Sequence, residues 1–254
     1  MQKSGFFSGF RSRFSSKELV ASLTSFFGDA DLSTAPKCAL STFDLATGQH
    51  RLWSSHPALG GTEHGPSLAT LTAACMAVPT YFDPIAIEGS DGTRHLLCNG
   101  GLWEADPCRV GLEAVRRLFS PSPLIGDIIL VAVGSGRLSN SVVEKEAPSL
   151  VRWATILPGL LMAANRQLVQ QQVEGLYRDT GSFENYFTFD PELPADGDWR
   201  VDDCGALDRF LKFSSEWADS RSEQILHAAQ LVMRRCDERL DLTRSILPKH
   251  SEIP

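Results

Sequence analysis

The sequence predicts an α/β fold, and three observations predict it. Helical and strand periodicities alternate early in the chain. An uninterrupted apolar run, Asp127 to Val133 (DIILVAV), lies at mid-chain, and the last part reads as helix. Alternation of this kind favours helices layered on a sheet. The 254 residues hold no Pro/Gly/Ser-rich linker, internal repeat or low-complexity tract, so the chain reads as one domain.

The elements follow in order. Ser15-Ser16-Lys17-Glu18 is a capping box with Ser15 as N-cap, and Leu19, Leu23, Phe26 and Phe27 share one helical face up to a stop at Gly28. Cys38 to Phe43 and Gln49 to Trp53 are strands joined by the turn Asp44-Leu-Ala-Thr-Gly48. Residues 54–66, with Pro57, Gly60, Gly61 and Gly65, form a loop. Ser67 to Val78 is a small-residue helix stopped by Pro79. Ile85 to Glu88 and Arg94 to Cys98 flank the turn Gly89-Ser-Asp-Gly92 as a hairpin. Asp106 caps, and Pro107 opens, a helix carrying Val110, Ala114, Leu118 and Phe119. The run Asp127 to Val133 fits a strand covered on both faces, as in a parallel sheet. Residues 149–177 are helical by pattern with a break at Pro158, 179–205 are loop-rich and acidic, and two amphipathic helices follow. One of these carries Leu207, Phe210, Leu211 and Trp217, the other Ile225, Ala229, Val232, Cys236 and Leu240.

Composition excludes several classes. The formal net charge is −7, which argues against broad nucleic-acid binding; no nucleic-acid partner is expected. Residues 1–178 balance at 15 basic and 15 acidic side chains, while 179–254 hold 9 and 16, so the excess lies at the C-terminal end. The six cysteines make no C-x-x-C pair, which disfavours zinc ribbons and thioredoxin-like chemistry. Phe6–Phe10 is too short for a secretory core, so reduced thiols in a cytoplasmic setting are the expectation. Leu150 to Ala164 contains Arg152 and Pro158 and falls short of the roughly 20 residues of a span. Within it, Leu150–Met162 reads first as core helix. The competing reading is an apolar surface touching lipid, which its lack of a Lys/Arg-rich polar face disfavours.

Motifs for chemistry are few. No G-x-S-x-G occurs, and Gly134-Ser135-Gly136 has Val133 where a nucleophile elbow needs its first glycine, so it reads as a tight exit from the sheet. Walker and dinucleotide fingerprints are absent. Gly60-Gly61-Thr62 with His64 reads as a surface loop rather than an anion cradle. His50, His56 and His64 have no metal-ligand spacing, so neither metal nor cofactor is expected. Cys98 and Cys108 read as packing residues.

Three stretches in order resemble the C-terminal half of a patatin-like phospholipase domain. They are Ala69 to Phe82, with its Pro-Thr-Tyr-Phe end; Leu97-Cys-Asn-Gly-Gly-Leu102 with Ala105-Asp-Pro107 and a helix; and Ile128 to Gly136. Phe43-Asp-Leu-Ala-Thr-Gly48 resembles the hairpin upstream of these, and Tyr186-Phe-Thr-Phe-Asp190 resembles the extension of bacterial members. The resemblance implies a layered α/β/α domain portion over 1–140, with a helical extension over 141–254 packed on it. It implies a Ser–Asp dyad acting on lipid acyl esters at a lipid or membrane surface, hence peripheral membrane access for a cytoplasmic protein.

The chain departs from that family twice. The segment carrying the oxyanion loop and nucleophile is expected to be missing, and the position of the dyad Asp in the D-G-G loop is Asn99, followed by Gly100 and Gly101. An amide has no useful basicity, and a serine hydroxyl attacks poorly without a base. The bland reading of Asn99 is a turn residue before two glycines. His95, near in sequence, has only proximity to recommend it as a base. The chain alone is therefore expected to be inactive. It works with an N-terminal complementing segment that supplies the Ser, or it is a non-catalytic lipid-surface or protein-interaction homologue, or it is a truncated gene product.

Overall fold

The computed structural model describes residues 12–59, 65–89, 92–138, 149–194, 197, 199 and 203–246. The chain is of mixed helix and sheet, as the periodicities predict. It divides into two compact units, one of Met1–Ile125 with Glu146–Asp179 and one of Gly126–Lys145 with Thr180–Pro254.

The first unit is built on a four-stranded sheet in the order β2-β1-β4-β3. Its strands are β1 (Ala39–Asp44), β2 (Gln49–Ser54), β3 (Ile85–Glu88) and β4 (Arg94–Asn99), and every neighbour is antiparallel. The Asp44–Gly48 turn sets Asp44 opposite Gln49, so Ser41 and Phe43 share a face with His50 and Leu52. The opposite face packs on helices. Helix α2 (Leu68–Met76) is held at its start by Ser67, whose Oγ accepts from the Thr70 N–H at 3.2 Å. Its small residues let it lie close to the strands: Ala73 and Ala74 are buried with Ile85, Ile87 and Leu97. Helix α1 (Ser16–Phe27) starts at the expected cap, Ser15, which accepts from the Glu18 N–H, and ends at Gly28 with φ 60°. It lays Leu19, Val20 and Leu23 on the same core. Helix α3 (Cys108–Leu118) starts one residue later than expected, with Pro107 rather than Asp106 in the cap position, while Asp106 Oδ1 still accepts from the Cys108 N–H at 2.9 Å.

Helix α4 (Leu150–Asp179) corrects two expectations. It runs through Pro158 without ending, 30 residues in all, because the loss of one N–H in a helix interior is outweighed by the turns on either side. Within the stretch read as core, Trp153, Leu157 and Leu161 are 39%, 44% and 61% exposed, so that stretch presents apolar surface.

In the second unit β5 (Leu130–Val133) pairs in parallel with β7 (Tyr186–Phe189), and β6 (Arg137–Leu138) with β8 (Glu192–Leu193). The parallel pairing expected of the DIILVAV run is present, but the two-sided cover expected with it is not: Val133 is 78% exposed, since a two-stranded pair leaves alternate side chains without a second layer. The stretch read only as acidic loop supplies both partner strands. Helices α5 (Leu207–Ser220) and α6 (Ser222–Ile246) follow as expected.

Candidate functional site

The Asn99-Gly100-Gly101 loop leaves β4, one of the two central strands, and enters a single 3-10 turn over Gly100–Leu102. The glycines are steric requirements. A Cβ at Gly100 would lie 2.6 Å from the Ser41 carbonyl oxygen and in conflict with its hydroxyl. One at Gly101 would lie 2.6 Å from Asn99 Oδ1 and 2.9 Å from Met162 Cε.

Asn99 is fully committed to holding this loop. Its Nδ2 donates to the Cys75 carbonyl near the end of α2, and its Oδ1 accepts from the Gly101 N–H at 2.7 Å. Its backbone N–H donates to the Ala77 carbonyl at 3.0 Å. The side chain therefore ties β4 to α2 and caps the 3-10 turn. The oxygen of an aspartate could replace only one of these contacts, because a carboxylate has no donor for the Cys75 carbonyl.

The opposite side of the sheet carries a polar chain that sequence reading did not assemble. Ser41 Oγ lies 3.0 Å from His50 Nε2. The His50 ring stacks on Trp103, with centroids 4.2 Å apart and planes 17° apart. Arg109 lies over the same indole at 5.1 Å. Its guanidinium bonds Glu104 at 2.5 Å and Glu113 at 2.9 Å. Burial, then the positive charge of Arg109, holds His50 below the usual imidazole range, so the ring is neutral near pH 7. Burial pushes the Glu104 carboxyl up against the pull of Arg109. Asn165 of α4 closes the loop from behind, accepting from the Ala105 N–H at 2.9 Å and donating to the Trp103 carbonyl at 3.0 Å. The Ser41–His50 approach follows from the hairpin register, which was readable. The Asn165 contact spans 60 residues and left no local signal.

The remaining candidates have structural roles. His95 Nδ1 lies 2.8 Å from Asp44 Oδ2 in a buried pair that holds the sheet together. Cys98 and Cys108 are buried, and burial pushes both thiols up, Cys98 to about 11, so neither is a thiolate at neutral pH. Gly134 and Gly136 donate to the Phe189 carbonyl at 2.9 Å and Asp190 Oδ1 at 3.1 Å, a sheet exit rather than an elbow. His56 Nδ1 accepts from the Ala58 N–H at 3.2 Å. The Gly60-Gly61-Thr62 stretch and His64 lie outside the described residues.

Chemically, the Asn99 loop offers no proton acceptor. The Ser41–His50 pair offers a hydroxyl beside a neutral imidazole, but among the described residues no carboxylate or carbonyl holds His50 Nδ1, the orienting contact a Ser–His nucleophile needs. Compared with known proteins, the chain matches no family model and no curated protein.

Proposed function

We propose that this chain is a patatin-like lipid acyl hydrolase portion in which the acid–base position has become a loop-holding amide, so that it does not hydrolyse esters by itself. One observation carries the reading: Asn99, at the position of the family's D-G-G aspartate, spends both ends of its amide on Cys75 and Gly101. The surrounding order supports it: a hairpin, a small-residue helix, a central strand ending in Asn-Gly-Gly, and a helix opened by Asp-Pro. The 254 residues hold no G-x-S-x-G, so ester turnover calls for a serine supplied in trans by a complementing segment. The layered α/β/α arrangement of the family belongs to this proposal. The test is hydrolysis of p-nitrophenyl butyrate and of phosphatidylcholine by the purified chain and its Asn99→Asp variant. Both are expected to stay at the buffer rate, and turnover by the unmodified chain would overturn the reading.

A second reading, a non-catalytic protein acting at a lipid surface, has one observation of its own. Trp153, Leu157, Leu161 and Leu168 fall on one side of α4, and all are exposed. Among the described residues no helix is long and apolar enough to cross a membrane, so contact by this helix would be interfacial. Flotation with vesicles that Leu157→Glu with Leu161→Glu abolishes would favour this reading. Flotation unchanged in that variant would reject it.

A further inference from the structure

The second unit holds a cleft of about 430 Å³ that no residue of the Asn99 site lines. Its charged lining consists of Arg137, Asp190, Glu192 and Arg221. Two of these four cancel. Asp190 Oδ2 lies 3.3 Å from Arg137 Nε, its Oδ1 accepts from the Gly136 N–H at 3.1 Å, and Arg137 also donates to the Asp190 carbonyl at 3.3 Å. That pair is locked by the backbone it bonds.

The other two charges are uncommitted. Arg221, at the junction of α5 and α6, and Glu192, on β8, are both exposed, and neither has an ionic or hydrogen-bonded partner for its side chain among the described residues. Thr188 and Gln224 add neutral hydrogen-bonding groups to the same lining, and the half-buried Trp217 adds an aromatic one.

We infer that this cleft binds a small zwitterion, with its phosphate or carboxylate on Arg221, Thr188 and Gln224 and its ammonium group at Glu192 and Trp217. A guanidinium fork grips an oxyanion through two parallel hydrogen bonds. An ammonium group gains from a carboxylate and from an indole face. A bare anion meets Glu192 as a like charge, and a bare cation meets Arg221, so a ligand carrying both signs answers the lining best. The volume lies within the range of small-ligand clefts, roughly 300–1,000 Å³. The inference does not depend on the function proposed above.

The purified chain is titrated with phosphocholine and with inorganic phosphate, read by calorimetry and tryptophan fluorescence. Phosphocholine is expected to bind with a Kd of about 1 mM, at least about tenfold tighter than phosphate. Arg221→Ala is expected to weaken it at least about tenfold. Glu192→Gln is expected to erase the preference over phosphate. Both variants should keep the wild-type thermal transition, since neither side chain has a bonded partner among the described residues. Co-sedimentation with phosphatidylcholine vesicles that Arg221→Ala abolishes would support the cleft with a lipid headgroup as the source. Binding of free phosphocholine without co-sedimentation would support it with a soluble zwitterion as the source. Absence of saturable phosphocholine binding at tens of millimolar, equal affinity for phosphate, or unchanged binding by Arg221→Ala would each overturn it.

Discussion

Asp44 shows how one side chain organises the first unit. It is fully buried at the end of β1. Its Oδ1 accepts from the Ala46 and Leu96 N–H groups, each at 3.1 Å. Its Oδ2 faces Thr47 Oγ1 and Arg51 Nε at 3.1 Å and His95 Nδ1 at 2.8 Å. Burial raises its pKa, but the Leu96 N–H, His95, Arg51 and the Ala46 N–H together outweigh that and hold the carboxyl well below the usual carboxylate range. Asp44→Asn keeps the shape but turns an NH₂ group toward donors, leaving the buried His95 and backbone N–H groups short of an acceptor, while Arg51, about a third exposed, can turn to water. The expected loss is about 2–3 kcal/mol, as for a buried polar group left without its partner, measured by urea unfolding at pH 7. A loss under about 1 kcal/mol would contradict this account. The pH dependence has a fixed sign. A depressed folded pKa gives a contribution that is complete above the unfolded value near 3.8 and is lost as pH falls through the folded value. The wild type should therefore lose stability in acid below about pH 4 while Asp44→Asn, already without that contribution, changes less there.

The elements that were legible in the sequence carry their signals locally, and those that were not depend on distant partners. Ser15 with Glu18, Asp106 with Pro107, and the Asp44–Gly48 turn each announce an end or a register within a few residues, and α1, α3 and the β1–β2 hairpin start at those signals or one residue past them. Pro158 reads as a break because the rule against interior proline is local, whereas α4 continues on the strength of the long segments flanking it. The β7 strand hid in an acidic stretch because its pairing with β5 spans more than fifty residues. The same contrast divides the site: Asn99-Gly100-Gly101 was visible as a loop, while the close approach of Ser41 was a matter of packing. Substitution tests this at the element scale. Gly100→Ala should cost at least about 3 kcal/mol, because the new Cβ would meet the Ser41 carbonyl at 2.6 Å and backbone on a central strand cannot step aside. Gly111→Ala, inside α3 with open space around its Cβ, should instead gain about 0.8 kcal/mol from helix propensity. Equal effects of the two, read from thermal midpoints, would remove the steric argument for the Asn-Gly-Gly loop.

At the scale of the whole molecule, charge and apolar exposure oppose each other. The chain carries −7 at neutral pH, all of it arising in residues 179–254, while the first 178 residues sum to zero. Large apolar side chains lie exposed in both units, among them Leu157 and Leu161 on α4 and Leu226 and Met233 on α6. Their mutual burial between molecules would be worth roughly 25 cal/mol per Å² of apolar surface, and like net charge is the term that resists it. That term vanishes near the isoelectric point, about 5.4, where protons taken up on acidification offset the excess of acidic over basic side chains. Light scattering at low ionic strength should therefore pass through a maximum near pH 5.4 and fall at pH 7.5 and at pH 4.5, where net charge returns with either sign. Added salt should raise scattering at pH 7.5 by screening the repulsion and leave the maximum in place. Leu157→Glu with Leu161→Glu should lower the maximum and shift it to a more acidic pH, since it removes apolar surface and adds two negative charges together. Scattering that is flat across this range, or a maximum that the double substitution leaves untouched, would mean that the exposed face of α4 takes no part in association.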